Sequence, residues 1–102
     1  MAQLVALYKT PSDPKAFDEY YASTHAPLAK TLPGLRRYEI STGPVATASG
    51  DSPYYLVALL EFDSMEAIKT ALNSPEGQKT AGDLANFAQA GVELLMFDAK
   101  EA

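Results

Sequence analysis

Two segments of this sequence, SPYYLVALLEF (52–62) and GVELLMFDAK (91–100), are apolar on both of their alternating sets of side chains. Tyr54, Leu56, Ala58 and Leu60 oppose Tyr55, Val57 and Leu59, and Val92, Leu94 and Met96 oppose Leu95 and Phe97. Successive residues of a strand face opposite sides of a sheet, so a sheet built from these segments needs cover on both faces. The opening AQLVALY (2–8) repeats the pattern, with Leu4 and Ala6 against Val5 and Leu7. The chain has 102 residues, which suits a single domain over 1–102. So short a chain supplies helices for one face only, and a second copy is expected to cover the other, making a homodimer.

Helical spacing separates the strands. Ser12 or Asp13 is placed to cap a helix with Pro14 near its first position. Phe17, Tyr20, Tyr21, Thr24, Leu28 and Leu32 then recur at three- and four-residue steps, one face of an amphipathic helix. A Pro33-Gly34 turn leads into a strand with Arg36, Tyr38 and Ile40 on one side and Leu35, Arg37 and Glu39 on the other. Residues 43–53, small and turn-rich, are expected to be a loop. Asp63 or Ser64 caps a second helix that turns Met65, Ile68 and Leu72 inward; residues 73–78 break it, and Pro75 starts a further turn carrying Leu84 and Phe87. The order strand, helix, strand, strand, helix, strand predicts an α+β domain, a ferredoxin-like βαββαβ with an antiparallel sheet and both helices on one face.

Charge and composition exclude several functions. The net charge is −5 and the eight basic residues are scattered, so no basic patch offers itself to nucleic acid. No apolar run approaches the roughly 20 residues of a membrane span, and the N-terminus lacks the pattern of a signal peptide, so it is expected to be mature structure. With one histidine and no cysteine the usual zinc arrangements are absent, as are phosphate-binding and dinucleotide-binding glycine patterns. The expectation is a cytoplasmic protein that uses no cofactor.

His25, the one histidine, therefore carries most of the chemical interest. It sits at the edge of the apolar helical face, just before Pro27, which cannot donate to the carbonyl of Ser23 and so kinks or ends the helix there. Tyr20, Tyr21 and Thr24 supply hydroxyl groups able to orient an imidazole, whose ordinary pKa suits proton transfer. The plainer reading is a boundary histidine with one nitrogen bonded to backbone or water. Tyr20 and Tyr21 read equally well as core, Arg36 and Arg37 as a solvated pair or an anion clamp, and Glu61 and Glu93 as edge or paired acids.

The stretch FDEYYASTHAPLAKTLPGLRRYEIS (17–41) resembles the signature of the EthD family within the dimeric α/β-barrel superfamily. That pattern is a helix ending in Tyr-x-x-x-His-x-Pro-Leu and then a Pro-Gly-Leu turn; Tyr21, His25, Pro27, Leu28, Pro33, Gly34 and Leu35 match it, and Tyr8 and Phe62-x-Ser64 match more loosely. The resemblance implies a dimeric α/β barrel formed by two sheets packed face to face. It also implies a cavity between each sheet and its helices, with His25 near it. It further implies an association with the breakdown of fuel ethers such as ethyl tert-butyl ether, alongside a cytochrome P450 system and under a reductase label. Superfamily relatives include cofactor-free isomerases, polyketide dehydratases, small monooxygenases and haem-degrading proteins, and fold alone does not choose among them. Three readings result: a catabolic or accessory protein binding a small hydrophobic molecule; a cofactor-free isomerase or dehydratase with His25 as general acid/base; and a monooxygenase relative or haem protein ligated by His25. In the first two, Tyr8, Tyr21, Thr24 and Tyr38 are the candidate substrate-binding residues.

Overall fold

The strand spacing is realised as an antiparallel sheet in the computed structural model, which describes residues Met1–Ala102. Its four strands are β1 (Ala2–Lys9), β2 (Arg37–Ile40), β5 (Tyr54–Phe62) and β6 (Val92–Asp98), in the order β2-β5-β1-β6. The helical parts are α1 (Pro14–Tyr20), a π-helical turn over Tyr21–His25, α2 (Ala26–Ala29), α3 (Met65–Asn73) and α4 (Pro75–Phe87). All main-sheet pairings are antiparallel. The fold is the ferredoxin-like α+β arrangement that the element order predicts.

The caps fall where short polar side chains compete for free backbone N–H groups. Asp13 accepts from the Ala16 N–H at 3.1 Å and Ser64 from the Ala67 N–H at 3.0 Å. One expectation is refined: the segment 43–53 is not wholly irregular, since β3 (Ala46–Thr47) and β4 (Gly50–Asp51) form a small separate hairpin within it.

Strand register decides which side chains meet the helices. Leu4 lies opposite Leu60 and Met96, Ala6 opposite Ala58 and Leu94, and Tyr8 opposite Leu56 and Val92. This set faces the helices, and Leu4, Ala6, Tyr8, Ala58, Leu60 and Phe62 join Phe17, Tyr21, Ile68, Ala71 and Phe87 in the core. The helices cover the middle of the sheet better than its edges: Ile40, Leu94 and Met96 belong to the helix-facing set yet stay 42–46% exposed.

The opposite face carries no helix. Its centre is apolar, with Val5, Leu7, Val57, Leu59, Leu95 and Phe97, and Leu59, Leu95 and Phe97 are 41–50% exposed. Its periphery is polar, and Glu61 and Glu93, read as edge or paired acids, are both paired. Gln3 donates to Glu61 at 3.1 Å, Arg37 lies 3.4 Å from Glu39, and Tyr54 donates to Glu93 at 2.6 Å. Arg36 is neither free nor a clamp, for its guanidinium pairs with Asp63 through two hydrogen bonds of 3.0 and 2.9 Å. No helix of the chain is long and apolar enough to cross a membrane.

Candidate active site

Pro27 shapes the backbone that presents His25. Its ring carries no N–H and crowds the carbonyl one turn back, so an α-helical ladder cannot run unbroken through Ser23. The chain responds with a wide turn over Tyr21–His25, closed by the Ala26 N–H bonding to the Tyr21 carbonyl. Turns of this kind recur at functional sites because one extra residue re-aims its neighbours. Here the turn buries Tyr21 and His25 together, at 3% and 4% exposure, while Ser23 and Thr24 remain outside.

His25 is thus a core residue, not a boundary one, and its partner is a side chain. Its Nδ1 lies 2.9 Å from Oδ2 of Asp83, a residue 58 positions later on α4. The second oxygen of Asp83 accepts from the Tyr20 hydroxyl at 2.6 Å and from the Asn86 side-chain amide at 3.0 Å. Burial pushes the carboxyl of Asp83 up, but these three hydrogen bonds together hold it below the ordinary carboxylate range. Burial also acts on His25, lowering its pKa against the raising influence of Asp83. A neutral imidazole beside a carboxylate must carry its proton on Nδ1, which leaves Nε2 as an acceptor.

Nε2 faces the Tyr8 hydroxyl at 3.4 Å. Tyr8 is 2% exposed, and its hydroxyl pKa is raised, chiefly by burial, so it remains a donor throughout the neutral range. Tyr21 is raised too, by burial and by its 2.5 Å hydrogen bond with Tyr38. Rings hold the group in place: the His25 centroid lies 4.6 Å from Phe87 and 5.3 Å from Tyr21.

Tyr8, His25 and Tyr38 line one cavity of about 50 Å³ between sheet and helices, otherwise walled mainly by aliphatic side chains including Leu60, Leu84 and Leu94. Of the candidate residues, the structure brings these three together. Tyr21 stands behind Tyr38 and braces it, outside the cavity lining. Thr24 is exposed, and its hydroxyl lies 3.4 Å from that of Ser23 instead of facing the cavity. Sequence reasoning missed Asp83. An acid on the helix carrying Leu84 and Phe87 was visible, but its pairing with His25 depends on how α4 packs. No group of three His, Cys, Asp or Glu side chains is arranged to hold a metal ion.

Fold and site define a ferredoxin-like α+β domain with a small apolar cavity around one histidine. A family model of the EthD domain matches residues 9–91, and the chain belongs to that family. It is 40% identical over 99 residues to an uncharacterized 11.0 kDa protein in the thcB-thcC intergenic region of Rhodococcus erythropolis, covering 96% of this chain and 94% of that one. An ethyl tert-butyl ether d (EthD) family protein from Bacillus halodurans superposes with a TM-score of 0.89 at 35% identity, over 98% of this chain and 99% of that one. A dimeric ferredoxin-like protein of unknown function from Thermobifida fusca shares the fold, with a TM-score of 0.70 at 14% identity over 96% and 90% of the two chains.

Proposed function

We propose that the cavity binds a small hydrophobic compound and that His25 serves it as general base and acid in a proton transfer that uses no cofactor. The observation that carries this reading is the setting of the imidazole: Nδ1 is engaged by Asp83, Nε2 lies 3.4 Å from the Tyr8 hydroxyl, and His25 and Tyr8 both line an apolar cavity. An accepting nitrogen backed by a carboxylate is suited to remove a proton from a bound molecule and return it elsewhere, the requirement of an isomerase or dehydratase. The setting we infer is catabolic, in keeping with the ethyl tert-butyl ether association of the family. Haem does not fit this site, because pockets for drug-sized ligands already need roughly 300 Å³ or more and the cavity offers about 50 Å³.

The working unit in this proposal is a homodimer joined through the open sheet face; the ferredoxin-like protein from Thermobifida fusca that shares the fold is itself dimeric. Its support is the apolar centre formed by Leu59, Leu95 and Phe97 inside a charged rim, the usual layout of a protein–protein contact. A titration of isotope-labelled protein with small neutral compounds tests the binding reading. Resonance shifts should concentrate at Ala29, Ala58, Ala81 and His25, which line the cavity. Shifts confined to the outer surface would overturn it.

A further inference from the structure

The cavity lining contains no Lys, Arg, Asp or Glu. A carboxylate, phosphate or ammonium group placed there would lose its hydration with no fixed opposite charge to replace it, a heavy cost. A neutral ligand is thereby selected. The polar atoms select further. Thr80 and Tyr38 line the cavity too, but the Thr80 hydroxyl is committed to the Glu76 carbonyl at 2.8 Å and the Tyr38 hydroxyl to that of Tyr21 at 2.5 Å. Nε2 of His25 is an acceptor by virtue of Asp83, and the Tyr8 hydroxyl is a donor whose 3.4 Å contact with Nε2 is long for an O–H···N bond. One ligand group satisfies both atoms: a hydroxyl, which donates to Nε2 and accepts from Tyr8. An ether, ketone or nitrile only accepts and leaves Nε2 without a partner, and buried unpaired groups are costly.

We propose that the site takes a small neutral molecule with one acidic hydroxyl, a phenol or an enol, and draws its proton onto Nε2 of His25, with Asp83 as the positioning residue. This deepens the proposed function and rests on its reading of the cavity. In the step the ligand O–H bond breaks, its electron pair stays on oxygen, and an Nε2–H bond forms. The resulting oxyanion accepts from Tyr8, and the imidazolium is held by Asp83, itself anchored by Tyr20 and Asn86. No oxidant or reductant enters. Space limits the rest of the ligand: about 50 Å³ holds the hydroxyl end, and the remainder passes Leu94, which is 46% exposed at the cavity wall.

The test uses 4-nitrophenol, coloured as phenolate and pale as phenol, on the acid side of its own pKa, with 4-nitroanisole and 4-nitrobenzoate as controls. The wild-type protein should bind the phenol with the appearance of phenolate colour and hold either control at least roughly tenfold more weakly. Nitrogen resonances of His25 should show a proton on Nδ1 alone in the free protein and on both nitrogens once the phenol is bound, a readout that needs no variant. Asp83→Asn should still bind the phenol, seen by calorimetry, but without the colour. Equal binding of 4-nitrophenol and 4-nitroanisole with no colour would overturn this inference and leave the cavity reading standing. Failure of all three compounds to bind or to move His25 overturns both.

Discussion

His25 changes character once its surroundings are known. As a boundary residue it would matter little to stability; buried at 4% exposure and bonded to Asp83, it is part of a polar network inside the core. His25→Ala removes that bond and leaves a buried carboxylate with two partners instead of three, so a loss of about 1–3 kcal/mol is expected in chemical denaturation. The sign of its pH effect is set by its lowered pKa. The folded state favours the neutral ring, so the associated stability is complete above the ordinary value of 6.5 and is lost as the pH falls through the folded value. The urea midpoint should therefore drop between neutral pH and about pH 5, and His25→Gln should lack this component. Identical acid slopes in the two proteins would refute the assignment. Asp83 acts in a lower window, below 3.8, because its pKa is depressed as well.

Among the elements, α4 matters most to the site, because it carries Asp83. Its start is fixed by Ser74, whose hydroxyl donates to the Ala71 carbonyl at 2.5 Å and accepts from the Gly77 N–H at 3.0 Å. Gly77 lets α4 pass close to α3: a Cβ there would sit 2.0 Å from the Ala71 carbonyl oxygen and 2.6 Å from the Leu72 Cα. Both obstacles are backbone and cannot swing aside. Alanine gains at most about 1 kcal/mol over glycine in a helix, whereas overpacking costs about 1–3 kcal/mol, so Gly77→Ala should be destabilising. Gly82 lies on the same helix with nothing within 4 Å of a built Cβ. Gly82→Ala should accordingly stabilise by about 0.4–1 kcal/mol. Thermal melts of the pair check both signs, and a gain at Gly77 would mean that the α3–α4 corner is looser than described. Because α4 sets the Asp83–His25 contact, Gly77→Ala should also disturb the His25 nitrogen resonances, while Gly82→Ala should not.

For the molecule as a whole, the two sheet faces make different demands. Leu56 belongs to the helix-facing set and is 9% exposed, while Leu95 lies on the open face at 50%. Leu56→Asp buries an unpaired charge and should prevent folding, by several kcal/mol. Leu95→Asp places its charge on the proposed dimer face. It should leave the circular dichroism spectrum intact while shifting sedimentation from dimer to monomer. A wild-type protein that sediments as a monomer at micromolar concentration would remove the dimer from the proposal. Leu94 and Met96, exposed on the other side of β6, are predicted to tolerate polar substitution without change of oligomeric state.

By itself the sequence determined what short-range physics controls. The two-residue period of 56–60 and 92–97, the three- and four-residue recurrence from Phe17 to Leu32 and the narrowing of the caps to Ser12 or Asp13 and to Asp63 or Ser64 each depend on neighbours within a few positions. The irregular register at the start of β5, which turns Tyr54 to Glu93 and Tyr55 to Asp18, is tertiary and departs from the expected alternation. The break in the helical ladder before Pro27 is local too, since a missing N–H and a ring clash act within one helical turn; that the chain answers with a wide turn and continues to Ala29 was decided by the fold. Contacts across many residues were decided only in three dimensions. The pairing of His25 with Asp83 spans 58 positions, and nothing local distinguishes Asp83 from other acids such as Asp18 or Glu76. It becomes the partner because α4, turned at Ser74 and Gly77, packs against the helical run that carries His25. The same holds for Thr24, which shares the periodic face of its helix yet points outward once the π turn re-aims the chain. Alternation marked both sets of strand side chains as apolar, but it is invariant to exchanging the two faces. Only the packing of the helices on one face selected Leu4, Ala6 and Ala58 as the covered set, leaving Leu59, Leu95 and Phe97 on the open one.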